Sequence, residues 1–131
     1  MPDLTWFAPD LGRPHWDDAN VRPLCYQLDA SEDGADSGVE RLFFILNSHF
    51  DPQWVKLPSL GSGCVWHRAV DTSVASGEDF AEAGREILID PADHYIANPR
   101  STVVLLAQKP GLARRSSVIE LSERNAVEAA R

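Results

Sequence analysis

The chain has 131 residues, with 12 basic and 20 acidic side chains and a formal charge of −8. That length holds one domain with a full core and not two comfortable ones, and a surface so acidic repels phosphate backbones and anionic lipid heads, which argues against nucleic acid and membrane as partners. No run reaches the roughly 18 apolar residues of a membrane span, and MPDLTWFAPD has neither the basic nor the apolar section of a signal peptide, so a cytoplasmic location is expected.

Taken in chain order, residues 1–22 read as irregular, with Trp6, Phe7 and Trp16 in need of something to pack against. Residues 23–28 (PLCYQL) alternate, placing Leu24, Tyr26 and Leu28 on one face of a strand. An acidic loop, DASEDGADSG, leads to residues 41–46 (RLFFIL), an apolar run expected of a central strand buried on both sides. Residues 53–57 alternate again, with Val55 and Leu57 opposite Trp54 and Lys56. After the Gly61-Ser62-Gly63 turn, residues 65–70 set Val65, His67 and Ala69 against Trp66, Arg68 and Val70. Three more strand-like segments follow at 86–89, 94–97 and 102–107.

Short strands punctuated by Pro, Gly and Asp, with no helical period between them, predict an all-β fold. We expect an antiparallel β-sandwich of Greek-key type with six to eight strands, spanning residues 1–110. Residues 111–131 form a separate tail. Ser117 and Glu120 there have the spacing of a capping box, which predicts a short helix. Cys25 and Cys64 both lie in apolar stretches and read as buried free thiols.

The stretch FFILNSHFDPQW (residues 43–54) concentrates the residues that could do chemistry. His49 and Asp51 offer two metal ligands where zinc needs three or four. Ser48 and His49 are sequence neighbours, which a strand sends to opposite faces, and no Gly-x-Ser-x-Gly elbow occurs anywhere. The segment therefore reads as a strand capped by Asn47, then a turn at Asp51-Pro52 into an antiparallel return strand, a hairpin end. No metal, cofactor or catalytic residue is assigned. The acidic loops read as solvated faces. Of the four tryptophans, Trp66 is mid-strand and expected in the core. Trp54 and Trp16 are candidate carbohydrate platforms, and Trp6, Phe7 and Trp16 are candidates for a domain interface.

Several of these stretches, in this order, resemble the last domain of bacterial glycogen debranching enzymes, isoamylase-type members of the α-amylase superfamily. Asp3-Leu-Thr-Trp6, Pro9-Asp-Leu-Gly12 and Trp16 are similar to that domain's opening motif, D-[VIL]-T-W…P-D-G…W. Leu42-Phe-Phe-Ile-Leu-Asn47-Ser-His49-Phe-Asp51-Pro52 resembles its LLLLNAHHEP strand and corner. Val55-Lys-Leu-Pro58, Trp66-His-Arg-Ala-Val-Asp71-Thr72, and Tyr95 with Arg100–Leu106 complete the order, so the likeness covers about residues 3–107.

The resemblance implies an all-β C-terminal domain packed on a catalytic (β/α)8 barrel that hydrolyses α-1,6 branch points in glycogen. The barrel carries the acids of such a retaining glycosidase, and none of its motifs occur here, so the chain alone is expected to be non-catalytic. The expected partner is that barrel, with α-glucan second, and an uncovered interface would favour self-association. The alternative is a stand-alone α-glucan-binding module. One departure stands out: the family's Ala-His-His-Glu corner is Ser48-His49-Phe50-Asp51.

Overall fold

The computed structural model describes residues 3–20, 23–30, 38–61 and 63–109. These form eight strands: β1 (Leu4–Phe7), β2 (Leu24–Asp29), β3 (Val39–Asn47), β4 (Gln53–Lys56), β5 (Val65–Asp71), β6 (Ile87–Leu88), β7 (His94–Ala97) and β8 (Ser101–Gln108). Six make one sheet in the order β1-β2-β3-β8-β5-β6, and β4 with β7 makes a two-stranded ribbon. Every pairing is antiparallel. Among the described residues there is no helix, and the fold is the expected antiparallel β-sandwich, with halves of unequal size. The tail at 111–131, with the helix predicted from Ser117, lies outside the described residues.

The core lies between the ribbon and one face of the large sheet. Cys25 of β2, Phe43 and Ile45 of β3, Trp66 of β5, and Val103, Leu105 and Ala107 of β8 meet Val55, Leu57, Ile89 and Ala97 there. Each fully buried Val, Leu, Ile or Phe contributes about 1.5–3 kcal/mol relative to exposure. Trp66 also satisfies its polar edge, donating from Nε1 to the Pro58 carbonyl at 2.9 Å. The turn after β1 closes one end of the sandwich. Asp10 Oδ1 accepts from the Gly12 amide at 2.8 Å, and the Lys56 amide on β4 reaches across to the Pro9 carbonyl at 2.7 Å.

Three details differ from the sequence expectation. The N-terminal stretch is not irregular throughout, because Leu4–Phe7 pairs with β2 as an edge strand in register Trp6↔Tyr26. The segment after Asn47 is not a hairpin. β3 pairs with β2 and β8, whereas β4 pairs with β7, so Asp51-Pro52 carries the chain from one sheet to the other. Local turn signals mark where a strand stops and carry no information on which strand the next one joins.

The third difference is a bulge in β5. The register against β8 runs Trp66↔Ala107, His67↔Leu106 and Arg68↔Leu105, then skips Ala69 to Val70↔Val104 and Asp71↔Val103. A bulge inserts one residue and reverses the alternation beyond it. Val70 therefore stands on the opposite face from Trp66, and Asp71 turns inward.

Candidate functional site

The corner at residues 47–51 is held by one side chain. Asn47 is buried, and its Nδ2 lies within donating distance of three carbonyls: Asn98 at 3.0 Å, Ala97 at 3.1 Å and Asp51 at 3.3 Å. Its Oδ1 accepts from the His49 amide at 3.0 Å. His49 Nδ1 in turn accepts from the Asp51 amide at 3.0 Å, and the ring stacks on exposed Phe50 at 4.5 Å. The Arg100 amide donates to the His49 carbonyl at 3.1 Å, tying the corner to the β7–β8 turn. With the ring nitrogen that faces Asp51 already engaged by a backbone amide, this arrangement is a clasp between turns. Among the described residues no group of three or more His, Cys, Asp or Glu side chains is placed to hold a metal ion.

A second polar cluster, which sequence reasoning did not single out, joins the two layers. The inward Asp71 carboxylate accepts from the Tyr95 hydroxyl, from Ser73 Oγ at 2.6 Å and from the Ser73 amide at 3.0 Å. Asn98 Nδ2 extends the network by donating to Ser73 Oγ at 2.9 Å. Burial, and then the bond to Asp71, push the Tyr95 phenol up to about 12. With three donors already on the Asp71 carboxylate, its role here is to tie the two layers together. Burial raises the Cys25 thiol to about 12, and burial plus the Glu40 hydrogen bond raise the Cys64 thiol, so both stay protonated at neutral pH.

The largest feature is the outer face of the six-stranded sheet, turned away from the ribbon. Following the registers from strand to strand gives one row of Trp6, Tyr26, Phe44, Val104, Val70 and Phe80. The next row is Leu4, Leu28, Leu42, Leu106, His67 and Leu88, and Leu24, Leu46 and Thr102 begin a third. Five strand spacings make this face about 24 Å wide. Antiparallel sheets ordinarily turn a polar face to water when the other is buried; this one is apolar on both. Trp6 and Leu46 are 39% and 36% exposed, and Phe80 and Trp16 each 64%. The aromatics run in contact: Trp16 on Trp6 at 5.5 Å edge-on, Trp6 on Tyr26 at 5.1 Å, and Tyr26 stacked on Phe44 at 4.5 Å.

The structure thus brings Trp6 and Trp16 together on the outer face and places Phe7 on the other side of β1, where it packs on Phe43 at 6.1 Å against the core. Trp54 is separate from both. It stands on the exposed side of the ribbon, 52% exposed, next to its cross-strand partner Ile96 at 54%. Its ring stacks on His94 at 5.2 Å, and His94 Nδ1 lies 2.8 Å from Asp93 Oδ1, a hydrogen bond that holds the Asp93 carboxyl below its usual range. A groove of about 530 Å³ begins beside this pair, with Lys56, Ser59, Asp90 and Asp93 on its walls and Pro58 and Leu60 among its apolar lining. The two tryptophans proposed as carbohydrate platforms, Trp54 and Trp16, therefore do not share a surface.

A sandwich whose larger sheet is apolar on both faces has the build of a domain that sits against another body. Comparison with known proteins supplies the family. The family described as isoamylase, C-terminal, matches residues 3–106, and the chain belongs to it. It is 33% identical over 116 residues to isoamylase 2, chloroplastic, of Oryza sativa subsp. japonica, a match covering 86% of this chain and 14% of that protein. It is 26% identical over 117 residues to isoamylase 2, chloroplastic, of Arabidopsis thaliana, covering 82% of this chain and 12% of that protein. The chain thus spans only a small part of the length of these relatives. Both are plant proteins, so membership is shown for the domain family and not for its bacterial branch.

Proposed function

We propose that this chain serves as the non-catalytic C-terminal domain of a debranching-type glycoside hydrolase, supporting a catalytic (β/α)8 barrel that hydrolyses α-1,6-glucosidic branch linkages in a cytoplasmic setting. The observation that carries the reading is the outer face of the large sheet. The row of six apolar side chains from Trp6 to Phe80 and the leucine-rich row beside it, closed over at buried His67 but exposing Trp6, Leu4, Leu88 and Phe80, make a poor surface to leave in water. Its occupant is the catalytic portion of the parent polypeptide, because the family is a C-terminal one and its relatives are several times longer than the match. Trp16 and Phe80 are the knobs that stand out farthest and suit the role of interface anchors. A second role, contact with α-glucan, is favoured by the stacked Trp54–His94 pair on the opposite layer.

Co-expression tests the docking. The chain is expected to co-purify with the catalytic portion of an isoamylase-type enzyme that lacks its own C-terminal domain. Leu46→Glu, at an exposed position of the inner strand β3 on the outer face, is expected to abolish capture while the circular dichroism of the domain is kept. Undiminished capture by Leu46→Glu would sink the assignment of this face. Alone, the chain is expected to self-associate with rising concentration through the same surface.

A further inference from the structure

We infer that the exposed side of the β4–β7 ribbon is an α-glucan-binding platform, on which Trp54 stacks a glucosyl ring, His94 braces the indole, and Lys56 and Asp93 hydrogen-bond sugar hydroxyls. The choice of a glucan as ligand rests on the proposed membership in a debranching enzyme; the choice of place rests on geometry. Trp54 projects from a strand whose next residue, Val55, is fully buried, so the strand cannot roll to hide the indole. Ile96, directly across the ribbon, extends the apolar floor.

The bracing is a chain of contacts. Asp93 Oδ1 holds His94 Nδ1 at 2.8 Å, and the imidazole lies against the indole with 20° between the planes and 5.2 Å between centroids. An aromatic ring held in one orientation before the ligand arrives loses less freedom on binding. The C–H face of a pyranose is flat and apolar, and an indole face matches it, while hydroxyls around the ring need donors and acceptors at the edge. Lys56, the cross-strand partner of His94, and Asp93 supply one of each at the mouth of the adjoining groove. A chain of formal charge −8 favours a neutral glucan over a sulfated or phosphorylated one.

The platform and the outer face of the large sheet lie on opposite layers of the sandwich, so a docked domain leaves the platform open. It can hold a polymer while the parent enzyme works on another part of it.

Electrophoresis of the whole chain in native gels with and without glycogen tests the assignment. The wild type is expected to be retarded by glycogen, and Trp54→Ala to lose about tenfold or more in apparent affinity. His94→Ala is expected to fall between, because it removes the brace and leaves the platform. A wild type that glycogen does not slow, or a Trp54→Ala chain slowed as strongly as the wild type, overturns the platform. A His94→Ala chain indistinguishable from wild type overturns the bracing role. Trp54→Ala is expected to co-purify with the catalytic portion as well as the wild type, so failure of retardation with docking intact removes the platform alone. Retardation without docking would instead make the chain a free-standing glucan-binding module.

Discussion

On the inner face of the six-stranded sheet Phe43, Ile45, Val103 and Leu105 are fully buried, while on the outer face of the same strands Phe44, Leu42 and Val104 are half-covered and Leu46 is exposed. The residue types are nearly interchangeable between the two faces. What separates them is the presence of a second layer: the β4–β7 ribbon and Leu57 and Ile89 cover one face, and nothing among the described residues covers most of the other. Apolar side chains thus do different work according to where they stand. The inner set drives folding of the domain, and the outer set forms the surface proposed above to meet a partner.

That contrast is sharpest at Trp66. Trp66→Ala opens a cavity in the inner layer and removes the donor to the Pro58 carbonyl, so it is expected to cost about 3–5 kcal/mol, enough to unfold much of a marginally stable domain. Urea denaturation would show it, and a loss below 1 kcal/mol would mean that the two faces differ less than their burial implies. Next in size is Asn47→Ala. It strips the partner from buried carbonyls of the β7–β8 turn and from the His49 amide, with an expected cost of about 1–3 kcal/mol in the same measurement. An effect within error there would reduce the corner to a plain turn.

A pH titration probes the tie between the layers. The Tyr95 phenol ionises near 12 in the folded chain and near 10 when exposed, so its contribution to stability is complete below pH 10 and is lost as pH rises toward 12. Cys25 shifts in the same direction from a lower starting point, so the decline of the wild type begins near pH 9. Tyr95→Phe is expected to lessen the slope above pH 10, where Cys25 still contributes, and to leave the earlier part in place. Thermal melts across that range would read it, and a curve that keeps its full slope above pH 10 would show that burial and the bond to Asp71 do not hold the Tyr95 phenol up. The smallest expected change in stability is at the outer face, where Leu46→Glu should alter the unfolding free energy of the isolated chain by roughly 0.5 kcal/mol or less. A large loss there would show that the outer face already supports the fold and is no free surface.

Much of the fold was legible in residues 23–107. The alternation of residues 53–57 gave their buried and exposed sides correctly, with Val55 and Leu57 inward and Trp54 outward, whereas in 24–28 the face of Leu24, Tyr26 and Leu28 is half-covered and the buried side is that of Cys25 and Gln27. Trp66 was expected in the core and is there. The run LFFIL is a central strand, as expected, lying between β2 and β8, but it is not buried on both sides: Leu42 and Phe44 are half-covered and Leu46 is exposed, because a run apolar at both parities says nothing about whether the same chain covers both sides. The short edge strand at Leu4–Phe7 was hidden because four residues carry too little period to stand out from a Pro-rich neighbourhood. Asp71 and Tyr95 were missed for a related reason. They are 24 residues apart, and only the bulge at Ala69, invisible to an alternation count, turns the carboxylate toward the phenol.

The sequence by itself determined that residues 23–107 are all-β, where seven of the eight strands among the described residues lie, and which family the chain belongs to, because period-two hydrophobicity and turn residues are local signals and the ordered motifs survive as text. Only the tertiary structure decided that β4 leaves β3 for β7, that Trp6 and Trp16 share a face while Phe7 and Trp54 each stand elsewhere, and that the described residues cover one apolar face of the large sheet only in part. Those outcomes depend on strand partners far apart in sequence, and which apolar face is covered is settled by the layer that lands on it.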